Sequence, residues 1–424
     1  MPIDRVTAPQ SLSDWLSYLE RIHPSAIDMG LDRVARVRDR LGLIPAFPII
    51  AVAGTNGKGS VCAMLGSILS SAGYKAGVYT SPHLLRYSER VRVKGEEAAD
   101  EQLVRAFSRI EELRGEVSLT YFEFGTLAAM DIFIRERVDL AVLEVGLGGR
   151  LDAVNAFDSD CAVVTSVDFD HMEYLGNNRD SIGAEKAGIF RAGRPAICGE
   201  GDAPAGLLGR AEQIGAKLHL IGRDYGFTAI PAQWQFWSAL GKRSALPYPA
   251  LRGDYQLGNA ATALSALEQL RDRLPVDMGA IRRGLLDVQL PGRFQVLPGR
   301  PMVILDVAHN PHAARALASS LRRLPGGKTI AVFAMLRDKD IEGVATAMRD
   351  VVDEWLVAGL SSPRGAGAER IRQALAAAQV DLPVAEFDTP VHAYQHAIRS
   401  AGQNDKILVF GSFYTVGAVL AARK

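Results

Sequence analysis

The sequence predicts an α/β protein built from two doubly wound, mostly parallel sheets, the first in a larger domain than the second. Apolar runs of strand length alternate with helical patterns from Ile49 onward, and the alternation restarts after a Pro- and Gly-containing segment at 298–301. Such alternation is typical of parallel strands joined by right-handed helical crossovers. The 424 residues also exceed the size of one hydrophobic core, which is about 250 to 300 residues.

The N-terminal part begins with two helical patterns. Ser11 to Glu20 is amphipathic, with Ser11 and Asp14 placed for a capping box, and Leu31 to Leu41 repeats the helical period. A short loop around His23 separates them. The predicted elements that follow are a strand within 48–53, strands at 76–79, 140–144 and 162–165, helices at 101–114 and 123–136, and antiparallel hairpins within the aromatic stretch 221–250.

The C-terminal part repeats the alternation on a smaller scale and has no phosphate loop of its own. Its predicted strands are 303–306, 329–333, 354–357 and 407–410, and its predicted helices lie near 312–323, 341–350, 366–379 and 391–400. We therefore divide the chain into a first domain at 1–297, a linker at 298–301 and a smaller Rossmann-like domain at 302–424.

The composition of the chain excludes several classes of binding partner. Lys plus Arg equals Asp plus Glu at 48 each, so no net field recruits nucleic acid or an anionic membrane. The three cysteines lack metal-ligand spacing and are expected to be buried thiols in a reducing compartment. The first ten residues lack a signal-peptide pattern, and no run approaches the ~18 apolar residues of a membrane span. We expect a soluble, cytoplasmic protein without nucleic-acid or membrane partners.

The most informative stretch is V-A-G-T-N-G-K-G-S at 52–60. It follows the first predicted strand and precedes apolar residues at helical spacing, which is the context of a P-loop. Its three glycines would let backbone N–H groups converge on phosphate oxygens, and Lys58 supplies a positive charge. The usual motif has Ser or Thr directly after the Lys, whereas here Gly59 intervenes before Ser60. A glycine-rich turn with an incidental Lys is the alternative.

Polar clusters follow several of the predicted strands, where ligands of α/β proteins usually bind. They are Thr80-Ser81-Pro82-His83, Glu144, Asp168-Phe169-Asp170-His171, and Asp306 with His309-Asn310. This clustering indicates an enzyme.

A carboxylate at a strand end beside a P-loop suits Mg²⁺, so Glu144 is a candidate ligand, and Ser60 or Ser81 could add a hydroxyl. His171 could add an imidazole, a less typical magnesium ligand. The alternatives are a loop-capping role for Glu144 and a structural hydrogen bond for His171. Lys186, taken alone, is typical of a solvated surface lysine.

Seven motifs in order resemble a known family: T-N-G-K-G-S, Y-T-S-P-H-L, T-Y-F-E-F-G-T, L-E-V-G-L-G-G-R-L-D-A-V-N, E-K-A-G-I-F, L-P-G-R-F-Q and D-V-A-H-N-P-H-A-A. Together they are similar to those of the bacterial dihydrofolate synthase/folylpolyglutamate synthases, which belong to the Mur-type ligases. The resemblance runs from Trp15 to Gly417. Mur-type P-loops carry the same extra glycine, which accounts for Gly59.

The resemblance implies roles for individual residues. Lys58, Lys186 and His171 would be catalytic, with Lys186 carbamylated so that it supports a second metal ion and the transferring phosphoryl group. Two Mg²⁺ ions would be held by Ser60, Ser81, Glu144 and His171. ATP would be bound by Thr55, Asn56, Gly57, Lys58, Gly59 and Ser60, together with Asn259, Arg293 and Asp306 from the two sides of an interdomain cleft. The pteroate substrate would be bound by His23, Thr120, Tyr121, Phe122, Glu123, Leu151, Asp152 and Ala153.

The implied reaction is ATP-driven amide formation: L-glutamate is added to dihydropteroate, giving dihydrofolate, and to reduced folates, giving polyglutamates, through an acyl phosphate. A monovalent cation is a further candidate cofactor, and a monomer is the expected state. One alternative is a Mur-type ligase acting on a cell-wall precursor, although only about fifty residues precede the P-loop strand, too few for a typical extra domain. Another alternative is a P-loop switch that binds ATP without making a product.

Overall fold

The computed structural model describes residues 9–25 and 27–423. The sequence-based statements about the first eight residues and about Ala26 in the loop after His23 lie outside this range. The chain forms two compact units. The first comprises the residues up to His83, Tyr87–Ala250 and Leu257–Val288, and the second comprises Leu84–Arg86, Leu251–Gln256 and the residues from Gln289 onward.

The first unit contains a large sheet, which is eight-stranded within the described residues and runs in the order β4-β3-β2-β5-β1-β6-β7-β8. The strands are β1 (Ile49–Ala53), β2 (Ala76–Tyr79), β3 (Val91–Val93), β4 (Glu96–Glu97), β5 (Leu140–Glu144), β6 (Cys161–Val164), β7 (Pro195–Cys198) and β8 (Lys217–Leu220). All pairings are parallel except those of β3 and β4 at one edge. The predicted, mostly parallel sheet is confirmed, and β1 is central because all five of its residues are apolar and buried.

Helices cover this sheet and supply most of the remaining core. They are α1 (Leu12–Leu19), α2 (Asp32–Leu41), α3 (Lys58–Ser71), α4 (Asp100–Arg114), α5 (Tyr121–Glu136), α6 (Met172–Leu175), α7 (Arg179–Ala187), α8 (Ala205–Ile214), α9 (Tyr255–Gln269), whose first two residues belong to the second unit, and α10 (Met278–Asp287). The predicted capping box at α1 is present, with the Ser11 side chain accepting from Asp14 N–H. Helix α3 is buried along most of its length, as a helix directly after a central strand must be.

A three-stranded antiparallel sheet forms from the aromatic stretch, as the sequence predicts. Its strands are β9 (Tyr225–Ile230), β10 (Gln233–Ser238) and β11 (Gly241–Leu246), in the order β11-β10-β9. Trp234 and Phe236 of β10 are fully buried, and Trp234 Nε1 donates to the Pro247 carbonyl at 2.8 Å. The buried aromatic side chains therefore give this sheet its own packed face.

The second unit contains a smaller sheet in the order β12-β13-β17-β14-β15-β16. Its strands are β12 (Gln295–Leu297), β13 (Met302–Asp306), β14 (Thr329–Phe333), β15 (Glu354–Ala358), β16 (Val384–Phe387) and β17 (Lys406–Phe410). Its helices are α11 (Pro311–Arg322), α12 (Ile341–Met348), α13 (Ala368–Ala377), α14 (Pro390–Ser400) and α15 (Phe413–Ala422). Phe333 stacks on Phe410 at a centroid distance of 4.6 Å in its core.

The sequence places an interdomain linker at 298–301, but the structure differs there. These residues form the turn between β12 and β13, which pair antiparallel from Gln295–Leu305 to Leu297–Val303. The prolines and the glycine mark a reversal of the chain inside the second unit, because the short apolar run before them pairs with the strand after them. Among the described residues, no helix has the length and apolar character needed to cross a bilayer.

Candidate active site

The P-loop connects the end of β1 to the start of α3, and two of its glycines have positive φ. Gly54 has φ +147° and Gly57 has φ +87°. A Cβ at Gly54 would lie 1.9 Å from Thr165 Oγ1, and one at Gly57 would lie 2.7 Å from Asn259 Oδ1. Only glycine fits either position. The Asn259 side chain, which the resemblance assigns to the nucleotide, therefore lies directly against the loop.

Hydrogen bonds join the P-loop to the segment that follows β6. Thr55 Oγ1 donates to the Asp168 carbonyl at 2.9 Å and accepts from Asp168 N–H at 3.0 Å. Asn56 N–H donates to Ser166 Oγ at 3.0 Å, and Thr165 Oγ1 donates to the Asn56 carbonyl at 2.6 Å. The loop is thus held in shape by a neighbouring strand end, which lowers the ordering cost of binding an anion.

Lys58 begins α3 and turns back over the loop. Its Nζ donates to the Gly54 carbonyl at 2.9 Å and to the Thr55 carbonyl at 3.3 Å. Gly59 and Ser60 lie in the first turn of the helix, and both are buried. The N–H groups of this turn and the positive end of the helix dipole suit a phosphate, and Lys58 adds a mobile charge.

Glu144 and Ser81 are brought together at the ends of adjacent strands. Glu144 is the last residue of β5, is only 3% exposed, and pairs in register with Val52 of β1. Ser81 N–H donates to Glu144 Oε2 at 3.2 Å. A buried carboxylate beside a hydroxyl-bearing loop offers the oxygen ligands that Mg²⁺ prefers.

His171 lies in the loop after β6, on the same stretch that holds the P-loop. It has φ +50° and precedes α6, and its N–H donates to Asp170 Oδ1 at 3.0 Å. Its Nε2 lies 3.9 Å from the same oxygen. Within 9–25 and 27–423, no group of three or more His, Cys, Asp and Glu side chains is arranged to hold a metal ion. A metal bound here would therefore depend on serine hydroxyls and ligand oxygens as well.

Lys186 is buried rather than solvated, so the surface-lysine alternative is wrong. It lies on α7 and is 3% exposed. Burial, reinforced by the charge of Lys58 and opposed by that of Asp170, lowers the pKa of Lys186 to about 7. A substantial fraction of this amine is therefore neutral at physiological pH, which makes it nucleophilic.

Two glycines fix the loop after β5 against α7. A Cβ at Gly149 would lie 2.8 Å from the Lys186 carbonyl, and one at Gly188 would lie 2.3 Å from Arg150 Cβ. Arg150 N–H also donates to the Glu185 carbonyl at 2.9 Å. The glycine-rich motif and the E-K-A-G-I-F motif therefore meet backbone to backbone.

Asp152 organises the loop that carries Leu151 and Ala153. Its carboxylate accepts from Leu147 N–H at 2.9 Å and from Val154 N–H at 3.0 Å, and it is 4% exposed. Burial raises the pKa of Asp152 to about 7, against the lowering effect of these backbone donors and of Lys58. Its observed contacts are within its own loop.

Thr120 and Glu123 form the capping box of α5, which also positions Tyr121 and Phe122. Thr120 N–H donates to Glu123 Oε2 at 2.7 Å, and Glu123 N–H donates to Thr120 Oγ1 at 3.2 Å. A Cβ added at Gly146 would lie only 2.7 Å from the Phe122 ring. The T-Y-F-E segment thus packs on the glycine-rich loop.

Arg33 contacts the proposed substrate residue Glu123, and the sequence does not predict this contact. Its Nη2 donates to Glu123 Oε1 at 3.1 Å, and its Nη1 donates to Asp28 Oδ2 at 2.7 Å. His23 Nε2 lies 3.5 Å from the same Asp28 oxygen. Arg33 is 90 residues from Glu123 in the chain, so no local pattern signals the pair.

The second unit holds the remaining predicted nucleotide residues. Asp306 ends β13 and accepts from Phe294 N–H and Ala308 N–H, each at 2.8 Å. Burial raises the pKa of this carboxyl, and the positive charge of Arg293 opposes the rise. The Arg293 guanidinium lies 5.3 Å from the centroid of the Phe413 ring. Both residues are thus held at one end of this unit's sheet.

Family models match most of the chain. The Mur ligase middle domain matches residues 52–226, and the Mur ligase glutamate ligase domain matches residues 292–413. The chain is 47% identical over 415 residues to the Escherichia coli dihydrofolate synthase/folylpolyglutamate synthase, covering 97% of this chain and 96% of that one.

Solved structures agree with this match. Escherichia coli FolC in complex with DHPP and ADP has a TM-score of 0.94 at 46% identity and covers 98% of each chain. A bifunctional folylpolyglutamate synthase/dihydrofolate synthase with Mn, AMPPNP and L-glutamate bound has a TM-score of 0.91 at 45% identity, covering 98% of this chain and 99% of that one. The chain belongs to the Mur ligase family, in the group of dihydrofolate synthase/folylpolyglutamate synthases.

Proposed function

We propose that this protein is an ATP-dependent ligase that adds L-glutamate to dihydropteroate, giving dihydrofolate, and to reduced folates, giving polyglutamates. The observation that carries the proposal is the grouping, in one unit, of a P-loop with Lys58, the Ser81–Glu144 pair and the buried Lys186. The names and ligands of the relatives support the substrates.

The chain's own residues would bind and orient the reactants. The N–H groups of 54–60 and Lys58 would hold the ATP phosphates, with Asn259, Arg293 and Asp306 contacting the nucleotide. Ser60, Ser81, Glu144 and His171 would hold two Mg²⁺ ions, which neutralise phosphate charge when bound. His23, Thr120, Tyr121, Phe122, Glu123, Leu151, Asp152 and Ala153 would line the acceptor pocket.

Amide formation would proceed in two steps. An acceptor carboxylate oxygen attacks the γ-phosphorus, the bond to the ADP oxygen breaks, and an acyl phosphate forms. The glutamate amine then attacks the acyl carbon, loses a proton, and expels inorganic phosphate. Such phosphoryl transfer needs positioning and charge neutralisation more than covalent side-chain chemistry, which matches the residues present.

Lys186 would act as a carbamate. The neutral Nζ attacks CO₂, an N–C bond forms, and the amine loses a proton, leaving an anion in place of a cation. The lowered pKa of Lys186 supports this step, because only the unprotonated amine reacts. The anion would also remove the repulsion that Lys58 exerts on a protonated Lys186.

The proposal also covers the oligomeric state, the cellular location and a further cation. We propose a monomer in the cytoplasm, with a monovalent cation as an additional cofactor and without nucleic-acid or membrane partners. Size-exclusion chromatography with light scattering tests the monomer, and activity in buffers with and without K⁺ tests the cation.

The test is acceptor-dependent turnover. Purified protein should release ADP and phosphate only when L-glutamate and either dihydropteroate or a reduced folate are both present, and mass spectrometry should identify the glutamylated product. Turnover with a cell-wall precursor instead would favour the other Mur-type ligases, and nucleotide binding without any product would favour a switch.

The metal assignment has its own test. Glu144→Gln should weaken Mn²⁺ binding in the presence of AMPPNP by about tenfold or more, since it removes a charged oxygen ligand. Glu97→Gln, on an edge strand and paired with Arg92, is the matched control and should bind like the wild type. Equal Mn²⁺ affinity in Glu144→Gln and the wild type would remove Glu144 from the site.

A further inference from the structure

Arg90 is a buried arginine that no predicted role includes. It ends the short 3-10 turn Tyr87–Arg90 and is 9% exposed. Its guanidinium carbon lies 5.3 Å from the centroid of the Tyr87 ring and 5.4 Å from that of the Tyr121 ring. Its Nε donates to His83 Nδ1 at 2.8 Å. Two aromatic rings and one hydrogen bond therefore fix the plane of the guanidinium.

Within residues 9–25 and 27–423, this cation has no carboxylate partner, although buried arginines are normally paired. Among the residues that the structure describes, two other arginines of the first unit are paired with carboxylates: Arg92 with Glu97 at 3.1 Å, and Arg33 with Asp28 at 2.7 Å and with Glu123. Arg90 makes no such pair within the same residues, where its side chain donates through Nε to His83. The two Nη groups are therefore the donors available for a bound anion.

His83 does not neutralise Arg90. An imidazole carries no negative charge, and His83 Nδ1 accepts the hydrogen bond that Arg90 Nε donates at 2.8 Å. The full positive charge of Arg90 remains for an anion.

Arg90 also lies between the two segments that matter most for the acceptor. His83 belongs to the loop of Ser81, whose N–H donates to Glu144. Tyr121 begins α5, next to Phe122, whose ring packs at Gly146. The guanidinium thus contacts both the loop of Ser81, a proposed metal ligand, and the start of α5, which is proposed to bind the acceptor. All these contacts lie within the first unit.

We propose that Arg90 binds the non-reacting α-carboxylate of a glutamate-bearing acceptor, and so is a specificity residue for additions after the first. This inference rests on the proposed function. Dihydropteroate has a single carboxylate, which reacts, whereas a folate has a second one that needs its own cation. The guanidinium fork matches a planar carboxylate through two parallel hydrogen bonds, and its planarity is already fixed by the flanking rings.

The experiment compares acceptors. KM and kcat are measured for dihydropteroate and for tetrahydrofolate with the wild type, Arg90→Gln, Arg90→Lys and the control Arg92→Gln. Arg90→Gln should raise the KM for tetrahydrofolate roughly 10- to 100-fold and change that for dihydropteroate about twofold or less. Arg90→Lys should be intermediate because it keeps the charge but not the fork, and Arg92→Gln should behave like the wild type.

Other patterns overturn the assignment. An equal rise of KM for both acceptors would give Arg90 a structural role, and a rise confined to the KM for L-glutamate would place it at the amine substrate. Thermal unfolding checks that Arg90→Gln folds; if it does not, the ratio of the two acceptor KM values for Arg90→Lys decides. A wild type that turns over neither acceptor refutes the proposed function itself, whereas normal wild-type turnover with an unchanged ratio in the variants refutes only this inference.

Discussion

The Thr55 hydroxyl and the Asp168 main chain exchange two hydrogen bonds, at 2.9 Å and 3.0 Å, across 113 residues of sequence. Thr55 lies in the P-loop and Asp168 in the segment after β6 that leads to His171. The Thr55 side chain therefore couples the shape of the phosphate loop to the segment that leads to a candidate metal ligand, beside the hydrogen bonds of Asn56 with Thr165 and Ser166.

Replacing Thr55 by Val should loosen this connection. The variant keeps the shape of the side chain but leaves the Asp168 N–H and carbonyl without their partner, at a cost of about 1 to 3 kcal/mol in the free energy of unfolding. We expect a several-fold higher KM for ATP. Thr55→Ser, which keeps the hydroxyl, is the control and should stay close to the wild type in urea unfolding and in ATP kinetics. A stable Thr55→Val with normal ATP kinetics would show that the bridge is dispensable.

Gly57→Ala should weaken nucleotide binding more strongly than it destabilises the fold. The new Cβ would lie 2.7 Å from Asn259 Oδ1 at a φ of +87°, so the loop or Asn259 must move. Gly73→Ala is the matched control, because Gly73 has φ +94° and no atom within 4 Å of its Cβ position. Both variants should lose roughly 1 kcal/mol of stability from the positive φ. Isothermal titration with AMPPNP should show a loss of affinity of tenfold or more, as a rough estimate, in Gly57→Ala alone; equal affinities would contradict the steric argument.

Asp152→Asn should disturb the loop after β5. The carboxylate accepts two backbone N–H groups through different oxygens, and an amide offers only one oxygen for them. One buried N–H then faces an NH₂ group, which should cost about 1 to 3 kcal/mol of stability. Differential scanning calorimetry measures the loss. A variant as stable as the wild type would indicate that Asp152 is protonated in the folded protein, as its raised pKa of about 7 allows below neutral pH.

Lys186 should make stability depend on pH. Its pKa is about 7 in the folded protein and near 10.5 in the unfolded chain. Between these values the unfolded chain binds more protons, so the stability of the wild type rises with pH relative to a variant without the amine. Lys186→Met should therefore be more stable than the wild type, by a few kcal/mol, below pH 7, and this advantage should shrink toward pH 10.5. Urea unfolding of both proteins in CO₂-free buffer measures the difference; a difference independent of pH would mean that the amine is not buried as a titrating group.

Much of the fold could be predicted because its strands are short apolar runs with clear helical patterns between them. Periodicity does not reveal β16, whose residues are partly exposed, or the antiparallel pairing of β12 with β13, which depends on how the turn at 298–301 folds. A local sequence signal identifies an element more readily than it identifies the element's partner.

The candidate site was likewise predictable only where its residues belong to local motifs. Lys58 and Glu144 follow predicted strands, so their place at one sheet edge could be predicted, whereas the place of Lys186 followed only from the family resemblance. The partners that set their environment come from distant parts of the chain: Arg33 is 90 residues from Glu123, and Asp168 is 113 residues from Thr55. Arg90 lies outside the seven motifs, and only the three-dimensional structure shows that no described carboxylate pairs with it.

Gly149 lies against the backbone of α7, and Gly188 lies against Arg150 of the loop after β5. The two motifs therefore depend on each other's shape. A side chain at either glycine would collide with the facing loop or helix, so the two segments fit each other only while both glycines are kept. Chimaeras of Mur-type ligases that exchange the loop after β5 should therefore carry α7 from the same parent.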